Sequence, residues 1–173
     1  MHLPRRLPHE SHQNSIIFAS CVFNSDLILI HRPFTYHWNR VKHDPVVDAQ
    51  GPVSTAIVAD SARNILRAIE GITVTAAMPV WLAVYFPLVG LINLFLHVVQ
   101  NPLSSATKSD IALMDVVVGH FSYLDFASGS ELGTQFPREV VAYAREVTTR
   151  ARLASDSTHP SDSSLEHENL VFG

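Results

Sequence analysis

Apolar residues recur every three or four positions along most of this chain, and no alternating run extends beyond a few residues. That spacing predicts helices with one buried face. Over residues 15–30, Ile16, Ser20 or Cys21, Phe23, Leu27 and Ile30 share a helical face, with Ser11 or Asn14 placed to cap it. His31-Arg32-Pro33 ends this helix, since a residue before proline avoids helical angles. A polar loop is expected over residues 35–52, partly disordered because of its length. A second helix follows over residues 53–69, with Val53, Ile57, Ala62, Leu66 and Ile69 inward and Asp60, Arg63, Asn64 and Arg67 outward. Gly71 stands where a C-terminal cap belongs. The third helix, residues 79–100, has Pro79 in its first turn, Asn101-Pro102 as its stop, and Pro87 inside, which predicts a kink or a break. The fourth covers residues 110–124, capped by Ser109, with Ile111, Met114, Val118 and Phe121 on one face. The fifth covers residues 138–153 around Val140, Val141, Ala144 and Val147. Residues 1–14 read as a flexible arm and residues 154–173, rich in Ser, Asp, His and Glu, as a disordered tail. The expected fold is an all-α, irregular bundle of about five helices over residues 15–153.

The third helix is the most informative. No Asp, Glu, Lys or Arg occurs between Glu70 and Lys108. A helix over residues 79–100 is about 33 Å long, enough to cross a bilayer, so length alone does not separate a membrane span from a buried core helix. Gly90, Asn93, His97 and Gln100 fall three or four apart on one narrow face, while Trp81, Tyr85, Leu88, Ile92, Phe95 and Val99 follow the opposite one. A lone lipid-embedded helix has no use for such a polar stripe, and the flanking charges show no positive-inside bias. The pattern favours a buried helix whose polar stripe meets protein or water, with a single span over residues 80–99 as the alternative.

Composition narrows the function. At 47% hydrophobic and 16% charged, the chain is short of charge for a globular domain, as expected of a piece whose surface is partly covered by something else. The net charge is -4 with two lysines and no basic stripe, so the electrostatic footprint of nucleic-acid binding is missing. The single cysteine, Cys21, excludes an internal disulfide framework and any multi-cysteine zinc site. No apolar stretch directly follows Arg5 and Arg6, so the N-terminus does not read as a signal peptide.

Candidate chemistry is sparse. His31, His37 and His43 lie six residues apart in a pattern that matches no ligand spacing. Cys21, among Ile16, Phe18, Val22 and Phe23, reads as a small buried hydrophobe. Asp110 and Asp115 at a helix start complement its dipole. There is no phosphate loop, serine elbow or nucleotide fingerprint. A helical enzyme or cofactor binder would have to draw on His97 with His120 or Cys21. The stronger expectation is that the chain is not an enzyme and holds no cofactor or metal. Asn93 and His97 are the candidate site residues, either for an effector or for a polar contact between helices.

Several segments, in order, carry a family resemblance. Leu27-Ile28-Leu29-Ile30-His31-Arg32-Pro33-Phe34, Asp60-Ser61-Ala62-Arg63-Asn64-Ile65-Leu66, Pro79 with Trp81 and Tyr85, His97 with Gln100-Asn101-Pro102, and Asp110 with Leu113 and Met114 succeed one another. This series, spanning residues 15–124, resembles the regulatory middle homology domain of fungal zinc-cluster transcription factors. The resemblance implies a nuclear role in transcription regulation, through a domain that restrains activation or receives an effector. The DNA-binding module of that family is a six-cysteine cluster holding two zinc ions. With one cysteine here, the chain is expected to match only the C-terminal part of the regulatory domain and to reach DNA only through a module it lacks. If so, an apolar face is left uncovered, and protein partners or self-association are expected there.

Overall fold

The computed structural model describes residues 8–35, 45–72, 80–129 and 133–157, and among these the regular elements are helices, with no strand. Helix α1 spans Pro8–His31 and passes into a 3-10 turn, Arg32–Thr35. Helices α2 (Pro45–Glu70), α3 (Val80–Gln100), α4 (Thr107–Ala127) and α5 (Gln135–Ser157) follow. The all-α bundle expected from the periodicity is what forms.

Several boundaries differ from the sequence reading. Helix α1 starts at Pro8 rather than near residue 15. Helix α2 starts at Pro45 and contains Gly51 and Pro52, so residues 45–52 are helix instead of loop. As the eighth residue of α2, Pro52 lies inside the helix and takes one N–H out of its ladder. Gly71 ends α2 by a tightened turn, its N–H donating to the Ala68 carbonyl at 3.2 Å, and not by a left-handed cap. Ser109 is not the cap of α4. The N-cap is Ala106, with no side-chain cap, and the Ser109 hydroxyl donates to the Ala106 carbonyl at 2.7 Å. Instead Thr107, fully buried, donates its hydroxyl to the Asn101 carbonyl at 2.9 Å and ties the start of α4 to the end of α3. The end of α4 is followed by Gly129 at φ 74°, a left-handed position suited to glycine. The expected loop residues 36–44 and tail residues 158–173 lie outside the described residues.

The core is one cluster. Cys21 and Ile28 of α1, Ala62, Ile65, Leu66 and Ile69 of α2, and Phe86, Leu91, Leu94 and Val98 of α3 are buried together with Met114, Val117 and Phe121 of α4 and Val141 and Ala144 of α5. Helices α1 and α2 run antiparallel. His31 meets Ser54 at one end, and Ile17 lies against Gly71 at the other. In α1 the buried face is Cys21, Asn24 and Ile28, whereas Ile16, Phe23 and Ile30 stand out in solvent. Of the apolar stripe that spacing picks out on this helix, Cys21 is buried, while Ile16, Phe23 and Ile30 form the outer face. Val53 of α2, expected inward, is also exposed.

Candidate functional site

The polar stripe of α3 turns inward, toward α2 and the 3-10 turn. It can do so because of Gly90. A Cβ at this position would lie 2.5 Å from Cδ2 of Leu66, so only glycine lets α3 approach α2 this closely. One turn further on, Asn93 is buried, and its Nδ2 donates to the Val89 carbonyl at 2.8 Å. Its Oδ1 has no partner, and neither does the buried Nδ1 of His97. Both residues line a cavity of about 20 Å³ walled by Arg32, Thr35, Thr55, Val58 and Gln100. The Thr35 and Thr55 hydroxyls are turned away, donating to the Arg32 and Gly51 carbonyls at 2.8 Å each. Buried acceptors left unpaired are costly, and a cavity of this size holds one water. Burial, reinforced by the positive charge of Arg63, holds the His97 ring below the ordinary histidine pKa against the opposing pull of Asp110 and Asp60.

Beside this cavity lies a forked ion pair that spacing did not foresee. Arg63 donates from Nε to Asp110 Oδ1 at 2.7 Å and from Nη2 to Oδ2 at 2.8 Å, while Nη1 reaches Asp60 at 2.7 Å. Asp110 is buried and Arg63 nearly so, whereas Asp60 is exposed. The pair joins α2 to α4 and raises the already high pKa of Arg63. Arg63 thus does not face outward, and Asp110 does more than complement a helix dipole. Asp115, one turn on, pairs with Arg145 of α5.

The residues an enzyme reading would need are not assembled. His120 Nε2 lies 2.8 Å from the Ala83 carbonyl. That carbonyl belongs to the residue four before Pro87, so it has lost its intrahelical donor. A ring N–H from α4 replaces it, which fixes the Nε2–H form of His120. Ala83 and His97 are fourteen residues apart on α3, about 20 Å along its axis. Cys21 is fully buried in the core, where desolvation pushes its thiol up to about 11. No group of three or more His, Cys, Asp or Glu positioned for a metal ion occurs among the described residues.

Two helices, Asn14–Thr35 and Leu82–Gln100, are long and apolar enough to cross a membrane. Half of the second window is buried against protein, and its polar stripe faces α2.

No family model matches the chain, and no solved structure does. Two curated proteins are similar to part of it, both described as ABC-transporter-regulating transcription factors, one from Aspergillus fumigatus and one from Aspergillus oryzae. Each is 35% identical over 80 residues, which is 45% of this chain and 9% of the relative. The chain therefore spans less than a tenth of the curated proteins it matches, and over that stretch it is related to fungal transcription factors.

Proposed function

We propose that this chain is a helical regulatory and interaction domain acting in transcription, of the kind found in fungal zinc-cluster transcription factors. The observation that carries this reading is its 35% identity over 80 residues to two fungal transcription factors. The all-helical fold and the ordered boundary motifs at His31-Arg32-Pro33 and Asn101-Pro102 support it. In this reading the protein works in the nucleus and performs no catalysis. DNA contact and bound zinc belong to a six-cysteine module that a sequence with one cysteine does not contain. Asn93 and His97 serve as polar positions packed between helices and not as an effector site. The cavity beside them, about 20 Å³, is far below the several hundred Å³ of small-molecule sites. Partners bind as proteins, on apolar surface the fold leaves uncovered.

The reading is tested by fusing the chain to a heterologous DNA-binding module and measuring a reporter in fungal cells. The expected result is expression that differs from that with the DNA-binding module alone. A reporter that responds identically to the fused and unfused module, with equal protein levels, overturns it.

A further inference from the structure

Helix α4 carries apolar residues on two faces, of which the described residues cover one. Met114, Val117, Phe121 and Leu124 are buried, whereas Ala112, Val116, Gly119, Tyr123 and Phe126 are exposed, Phe126 by 82% and Tyr123 by 54%. Steps of four, three, four and three residues place these five on one stripe, the seam along which two helices pack. None of the five is charged, with Lys108 one turn before them and Asp115 at their flank. Gly119 stands at its centre. Glycine inside a helix is destabilising relative to alanine, and nothing within this chain requires it, since an added Cβ would meet no atom within 4 Å. A missing side chain in the middle of an exposed apolar seam suits the close approach of another helix.

We propose that this stripe is a dimer seam, with α4 of two copies of the chain packed antiparallel about a twofold axis at Gly119. Under that axis Gly119 faces Gly119 of the second copy, Ala112 faces Phe126, and Val116 faces Tyr123. Each ring meets a smaller side chain, so the stripe is complementary to itself in size, as an isologous contact requires. Because it is uncharged, no like charges are opposed. The stripe Ile16, Ser20, Phe23, Leu27 and Ile30 on α1 has the same steps but not this property. Its own twofold axis would set Phe23 on Phe23 and Ile16 on Ile30, large side chains against large ones. The facing α4 stripes cover at most about 1,000 Å² in total, the lower edge for a specific interface, so a weak, reversible dimer is expected. The proposal rests on the reading that uncovered apolar surface here is met by protein.

Sedimentation velocity of the full chain from about 5 to 200 µM tests it, a range that brackets such an interface. The expected result is a monomer–dimer equilibrium that Tyr123→Lys and Phe126→Lys each weaken by about tenfold or more with helicity unchanged, while Phe23→Lys leaves it intact. Gly119→Cys is expected to form a disulfide-linked dimer on mild oxidation, whereas Ala56→Cys, exposed on α2, is not. A wild-type chain that stays monomeric throughout overturns the proposal. So does a dimer lost in Phe23→Lys and retained in Tyr123→Lys, or no cross-link at Gly119→Cys. None of these readouts involves transcription, so failure here is distinguishable from a silent reporter.

Discussion

His97 holds its ring where a proton is unfavourable, and the consequence is a pH dependence of known sign. In the unfolded chain the ring titrates near its usual value of about 6.5. In the folded chain burial lowers it. Between those two values the unfolded state carries the extra proton, so stability is full above pH about 6.5, falls as pH drops toward the folded pKa, and levels off below it. Urea midpoints measured from pH 8 downward are expected to show this decline in the wild type, with less of it in His97→Gln. A second expectation concerns the fork at Arg63. Removing either partner leaves a buried charge, so Asp110→Asn or Arg63→Ala is expected to cost about 2–4 kcal/mol in denaturant unfolding. Arg63→Met with Asp110→Leu should recover most of that loss. Spacing brought Asn93 and His97 to one face, as observed. It could not reveal Arg63 with Asp110, because helical periodicity says where a residue points on its own helix and not where a second helix crosses.

At the level of elements, two glycines in helix interiors have opposite meanings. Gly90→Ala forces a Cβ into Leu66, so a loss of about 1–3 kcal/mol is expected from the repacking of a filled core. Gly119→Ala meets open space and is expected to raise monomer stability by about 0.5–1 kcal/mol in thermal unfolding. Sequence alone treats both as breaks in helix propensity. Pro87 was legible as a disturbance of α3, but its remedy was not, since the donor arrives from a histidine 33 residues later. His120→Phe orphans the Ala83 carbonyl and is expected to cost about 1–2 kcal/mol. In a Pro87→Ala background, where a backbone N–H is restored, the same change should cost less, and a double-mutant cycle reads the difference. The helix starts at Pro8 and Pro45 were missed because prolines read as loop signals, although in first and second turns they break little.

Over the whole molecule, the shortage of charge foretold uncovered surface but misplaced it. Ile16, Phe23 and Ile30 of the α1 stripe expected to form core are exposed, and α4 adds a second exposed stripe. A stripe with helical spacing identifies a face that can be buried, and on a helix with more than one apolar face the neighbours choose which is used. The same ambiguity surrounded α3, whose inward polar stripe argues for release of the chain into the supernatant on alkaline carbonate extraction. Retention in the membrane pellet would return residues 80–99 to the role of a span. The bond between His120 and the Ala83 carbonyl reaches further than its strength suggests. A proline in one helix and a ring on another form a single unit of descent. A lineage that exchanges Pro87 for a residue with a backbone N–H releases position 120 to drift, and one that first loses the histidine is under pressure to lose the proline. In related sequences the two positions are expected to change together.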